Sequence, residues 1–168
     1  SLESIIAEAR LLRGMTYFRL ITMWGDVPYI GKIVYDNSEV ASLSRMPIGQ
    51  VKDSIMADFN YAVTKLPNKA AALGRASKPA ALAFRGKLNL YWGSWKKNGW
   101  PELEGFTQNA GEATTAFTAA AADFKSVIND FGLTLYKNGA PGNIDALGKA
   151  DILPNYFELF TPKANGNP

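Results

Sequence analysis

The sequence predicts an all-α fold of antiparallel helix pairs joined by long loop insertions, with an irregular stretch over 133–168. Three observations predict it. Four segments of about twenty residues repeat their apolar side chains every three or four positions, the period of a helix with one buried face. Glycine or proline punctuates the ends of these segments. Each helix carries five or six such striped apolar side chains, which are covered only if the helices pack on one another.

The first helix is expected from Leu2 to Trp24. Ile5, Ala9 and Leu12 form one stripe and Leu11, Met15 and Phe18 a second, so the helix reads as a central one with neighbours on both sides. Gly25 and Pro28 stop it, because glycine accepts φ > 0 at a helix end and proline cannot continue the ladder. The second helix is expected from Pro47 to Leu66, with Ile48, Val51, Ile55, Phe59, Ala62 and Leu66 on one face and Pro67 as its stop. The third starts at Ser77, a plausible N-cap, and runs to Lys96 on a stripe of Ala81, Phe84, Leu88, Tyr91 and Trp95. The fourth spans Gly111 to Phe131 on Ala113, Phe117, Ala120, Phe124, Ile128 and Phe131, with Gly132 just past its end. Beyond it, Leu133, Leu135 and Tyr136 could form a short strand, and Tyr156–Phe160 a helical turn or packed loop. Glu3 of helix one and Ser77 of helix three are 74 residues apart. A tetratricopeptide repeat takes about 34, so a repeat array would need long insertions.

Composition removes several functions. Cysteine and histidine are both absent from the 168 residues. Disulfides, Cys/His zinc sites, thiol nucleophiles and imidazole triads are therefore excluded. Eighteen Lys and Arg against fifteen Asp and Glu leave a net charge of +3, without the basic cluster that nucleic acid requires. Hydrophobic residues make up 47% and charged residues 20%, the balance of a folded domain. No run of eighteen apolar residues spans a membrane as a helix, and no signal peptide is expected within these residues. The chain is read as one helical domain, 1–168, whose ends look like cuts through a longer protein.

Four groups of residues invite a chemical reading. Glu8 points into an apolar stripe of helix one, between Leu11, Leu12 and Met15. A carboxylate there needs a cation, and Arg75 or Arg85 is available; a structural ion pair is favoured over a catalytic acid. Gly74-Arg75-Ala76-Ser77-Lys78 could hold a phosphate at a helix start but lacks the spacing of a P-loop, so a helix cap is the simpler reading. Trp100 lies off the helical stripe in a loop beside Asn98, Pro101 and Glu102. It either stacks on a sugar ring, with Asn98 as a polar neighbour, or folds back over the helix ends. Glu102, Glu104, Asp145, Asp151 and Glu158 read as solvated loop charges, since nothing in the sequence sets two of them at a glycosidase separation. No metal site and no cofactor site is expected.

Taken in order, several motifs resemble the SusD/RagB family. These are Glu8-Ala9-Arg10-Leu11-Leu12-Arg13 with Tyr17-Phe18, then Trp24-Gly25-Asp26-Val27-Pro28-Tyr29-Ile30, then Arg45-Met46-Pro47 with Asp58-Phe59. Gly74-Arg75-Ala76-Ser77-Lys78-Pro79-Ala80-Ala81 and Asn155-Tyr156-Phe157-Glu158-Leu159-Phe160 continue the register. Within this likeness Gly25, Asp26, Pro28, Gly74, Arg75, Ser77 and Glu8 are structural motif residues. The resemblance implies a tetratricopeptide-like helical scaffold in an outer-membrane lipoprotein several hundred residues long. It would be non-catalytic, displayed at the cell surface through a lipidated cysteine outside this stretch. It would capture oligosaccharide, or in some members peptide, for a SusC-like TonB-dependent barrel. The alternative is a helical-repeat adaptor that binds a protein; a hydrolase is the remote third reading.

Overall fold

The computed structural model describes residues 1–102, 104–135 and 146–147. Among them the architecture is all-helical: α1 (Leu2–Trp24), α2 (Ile48–Lys65), α3 (Lys78–Asn98) and α4 (Ala110–Asn129), with 3-10 turns at Asn37–Glu39 and Glu104–Phe106. The β-type pairing found there is a single bridge between Val27 and Met46. Leu133 to Leu135 carry no strand. Tyr136, Asp145, Asp151 and the Tyr156–Phe160 segment lie outside the described residues.

The helices form a row in which α1 packs on α2, α2 on α3, and α3 most extensively on α4. Every neighbouring pair is antiparallel. Lys65 at the end of α2 reaches Glu3 at the start of α1 (2.8 Å), while Asp26 beyond the end of α1 meets Ile48 at the start of α2. Phe59 lies against Phe84 and Lys52 against Trp92, so α2 and α3 also run in opposite directions. Trp92 of α3 bonds Glu112 near the start of α4. Ala7, Leu11, Phe18 and Ile21 of α1 meet Ile48, Val51, Ile55, Phe59 and Ala62 of α2 in the core, joined by Ala81, Leu88 and Trp92 of α3 and Phe106.

Two expectations change. Of the two stripes on α1, only the one through Leu11 and Phe18 is buried; Ile5 is 57% exposed and Leu12 60%. The helix with two occupied faces is α3, held between α2 and α4. Its second face is built of Gly86 and Gly93, where Phe124 and Phe117 of α4 seat: a Cβ at either glycine would come within 2.9 Å of a ring carbon. On α4 the buried set is Ala113, Ala116, Ala120 and Asp123, and Ile128 is 69% exposed. Three alanines over about two helical turns let α3 come close, and Asp123 is turned inward because it has a partner there.

That partner exposes an internal repeat. Arg13 of α1 bonds Asp58 of α2 through both carboxylate oxygens, at 2.7 and 2.6 Å. Arg85 of α3 grips Asp123 of α4 in the same forked manner, at 2.9 and 2.6 Å. The residue after each arginine is a glycine, Gly14 or Gly86, and the residue after each aspartate is a phenylalanine, Phe59 or Phe124. Each ring fills the notch left by the glycine of the facing helix. The bidentate fork fixes the register of two helices, and the missing Cβ fixes their separation. Thus α1–α2 and α3–α4 are two copies of one hairpin. Arg85 stands 72 residues after Arg13 but Asp123 only 65 after Asp58, because unequal insertions separate the helices. Arg85 also donates to Asn60 Oδ1 (2.9 Å), which ties the second hairpin to the first.

Candidate functional site

The α3–α4 connection gathers Trp100 and Phe106 against Tyr91, Trp92 and Trp95 of α3. Helix α3 ends at Gly99, whose φ of 74° lies in the left-handed region that glycine tolerates. The chain then doubles back over the helix end. Trp100 N–H donates to the Phe106 carbonyl (3.0 Å), and Asn109 N–H to the Lys96 carbonyl (2.8 Å). This reversal drives Phe106 into the core at 2% exposure, stacked on Trp95 with ring centroids 4.7 Å apart and planes 18° apart. Tyr91 and Trp92 close around the same ring.

Trp100 sits at the rim of this cluster. It meets Trp95 edge-on (5.4 Å, 77°) and keeps 45% of its surface exposed. One side of the indole is thus anchored and the other is open. Asn98, also exposed, is the last residue of α3, and its side-chain N–H donates to the Ser94 carbonyl (2.8 Å). The amide is engaged in closing the helix.

Beside this cluster a cleft of about 500 Å³ opens between the starts of α2 and α4, lined by Asp26, Gln50, Lys52, Asp53, Trp92 and Glu112 among others. The Trp92 indole N–H donates to Glu112 (2.6 Å), and the Lys52 and Lys96 ammonium groups stand 4.9 and 5.2 Å from the Trp92 ring. Burial pushes the Glu112 carboxyl up. The Trp92 N–H and Lys96 outweigh that and hold it below the ordinary carboxylate value, so it is ionised at neutral pH. With aromatic rings and both donors and acceptors, the region suits a neutral, hydroxyl-rich ligand. Among the described residues no three His, Cys, Asp or Glu side chains gather to hold a metal, and no helix is long and apolar enough to cross a membrane.

Of the motif residues Asp26 lines this cleft; the others lie elsewhere, and most of them brace the loops. Gly25 turns at φ 66°, and Asp26 Oδ1 accepts the Ile48 N–H (2.8 Å). Pro47 occupies the N-cap position of α2 and has no side-chain donor or acceptor, so Asp26 satisfies that helix start from outside. Pro28 follows Val27, whose carbonyl takes the Met46 N–H (3.0 Å) and closes the base of the loop. Glu8 is half-buried and paired with Arg75 through a forked contact, one arm of which is 2.9 Å. Arg85 is not its partner, because Asp123 and Asn60 already take that guanidinium. Arg75 holds the Glu8 carboxyl below its ordinary range, partial burial opposes this, and Ala76 N–H adds to it. Gly74 turns at φ 79° just before. Ser77 takes the N-cap position of α3 with extended backbone, but its hydroxyl makes no cap bond. Glu102 is exposed in the turn after Trp100.

The repeated Arg–Asp forks went unread in the sequence. The available signal was a stripe-facing aspartate followed by phenylalanine, seen twice, with Arg-Gly on the preceding helix each time.

Comparison with known proteins follows the same outline. Residues 1–90 match a family, SusD-like, described as starch-binding and associating with the outer membrane. A SusD-like protein of Bacteroides ovatus is 28% identical over 165 residues, which is 96% of this chain and 24% of that one. SusD-like protein P2 of Formosa agariphila is 34% identical over 95 residues, 56% of this chain and 19% of that one. A solved laminarin-binding SusD-like protein superposes with a TM-score of 0.60 at 29% identity, covering 96% of this chain and 28% of the other. The chain therefore spans about a quarter of the length of the relatives it matches. With its helical hairpins, fold and family match in agreement, it belongs to the SusD-like family.

Proposed function

We propose that this chain is part of a non-catalytic component of an outer-membrane uptake system, one that captures oligosaccharide and passes it to a SusC-like TonB-dependent barrel. The observation that carries this reading is the match of 1–90 to a starch-binding, outer-membrane-associated family, reinforced by a laminarin-binding relative that superposes over 96% of the chain. The whole protein is read as a surface-exposed lipoprotein whose anchor lies outside residues 1–168.

Capture needs no bond-making group. The open face of Trp100 lies against the apolar C–H face of a pyranose ring, and Asn98 meets a rim hydroxyl. Trp95 and Phe106 hold the indole in place beforehand, which reduces the ordering cost of binding. The test is calorimetric titration of the whole protein with starch-derived and laminarin-derived oligosaccharides. Trp100→Ala is expected to weaken binding about tenfold, the loss of one stacking contact of about 1.4 kcal/mol. An unchanged affinity removes Trp100 from the site.

A further inference from the structure

The face of α1 turned away from the core carries Leu2, Ile5, Ala9, Leu12, Thr16 and Met23. These follow the alternating three- and four-residue steps of a helix–helix seam. Leu2 is 73% exposed and Met23 61%, in line with Ile5 and Leu12. An ordinary surface helix places its charges on this side. Here the charges turn the other way: Glu3 reaches Lys65, Arg10 and Arg13 reach Asp58, and Glu8 reaches Arg75. Arg19, at the seam position between Thr16 and Met23, forms no ion pair among the described residues. Beside the seam a hollow of about 330 Å³ opens between α1 and α3, walled by Leu12, Met15 and Phe84 and bordered by the Glu8–Arg75 pair.

We propose that in the whole protein this seam is covered by an amphipathic helix of the same polypeptide from outside residues 1–168, with an acidic side chain opposite Arg19. The spacing calls for a helix, because three- and four-residue steps present one continuous ridge to another helix. Ala9 and Thr16 are small at mid-seam and allow axes to approach within about 8–10 Å. The Thr16 hydroxyl is already satisfied by the Leu12 carbonyl (2.9 Å), so the seam asks for no polar partner at its centre. It offers no aromatic platform and no hydrogen-bonding row for a glycan. The chain length exists to supply the helix: residues matching almost all of this chain make up only 24% of the B. ovatus relative. A tethered segment acts at an effective concentration in the millimolar range, which a diffusing partner does not reach.

Residues 1–168 contain no cysteine, so an introduced thiol is the one maleimide target within them, and labelling of the unsubstituted whole protein is subtracted as background. The whole protein carrying Leu12→Cys is labelled with a maleimide in aqueous buffer and compared with Tyr35→Cys, since Tyr35 is 87% exposed. The Leu12→Cys thiol is expected to react at least ~100-fold more slowly, equally at two protein concentrations fifty-fold apart, as buried sites opened only by local unfolding do. Equal rates for the two thiols overturn the proposal. Protection lost on dilution means that a second copy covers the face, and protection gained only with phospholipid vesicles means that a membrane does; either also overturns it. Ile5→Cys gives the same reading if Leu12→Cys does not fold.

Discussion

Gly14 shows how one missing carbon sets a helix pair. Replacing a glycine inside a helix by alanine ordinarily stabilises by up to about 1 kcal/mol. At Gly14 the new Cβ would lie 2.6 Å from Phe59 Cε1, and Phe59 is fully buried and has nowhere to retreat. Gly14→Ala is therefore expected to destabilise by about 1–3 kcal/mol in urea unfolding, in the range of an overpacked core. Gly111, also helical, has its nearest prospective neighbour at 3.5 Å and is exposed. Gly111→Ala should be neutral or slightly stabilising. Equal effects at the two glycines would contradict the notch. The same residue scale explains why the Arg–Asp forks are hard to read from sequence. Asp58 and Asp123 interrupt apolar stripes and look like solvent positions until their arginines are placed. Each arginine is on a different helix from its aspartate, 45 or 38 residues away.

Four acidic side chains brace loops, turns and helix starts. Glu8 braces the loop before α3, Asp36 caps the 3-10 turn at Asn37–Glu39, Glu39 pairs with Lys32, and Glu112 sits in the first turn of α4. All four carboxyls are held below their ordinary values, by Arg75 at Glu8, by Ser38 at Asp36 and by Lys32 at Glu39; at Glu112 burial pushes upward but the Trp92 N–H and Lys96 prevail. A depressed carboxyl contributes stability that is complete above its unfolded value and lost as pH falls through its folded one. The ordinary values are 4.5 for glutamate and 3.8 for aspartate. The urea midpoint should thus be flat from neutral pH to about pH 5 and fall below it, with a shallower fall in Glu8→Gln. A midpoint that rises on acidification would contradict these assignments. At this scale the helices were largely legible. Gly25, Pro47 and Pro67 mark their ends, and the observed bounds differ from the expected ones by two residues or fewer. The neighbours were less legible. The second face of α3 is made of glycine notches that add nothing to a hydrophobic count, whereas the second stripe of α1 is apolar and faces outward.

At the scale of the molecule, two copies of one hairpin are clamped by the same four-residue device and linked through Asn60 and Arg85. The copies are masked in the sequence because the insertions between helices differ, so the repeat has no constant period. The aromatic surface around Trp100 depends on a chain reversal at Gly99 and on Phe106 filling the core. Composition could flag Trp100 as off-stripe but could not show that Trp95 anchors it. What the scaffold presents is a preformed surface with aromatic and hydrogen-bonding groups, at the edge of a chain that makes up about a quarter of its relatives. The most direct measurement is to incubate the whole protein with a fluorophore-tagged starch or laminarin oligosaccharide, follow complex formation by anisotropy, and then recover the sugar by chromatography. A saturable complex with the sugar recovered at full length is the expected result; no complex at millimolar sugar, or recovery of shortened sugar, would contradict a capture role.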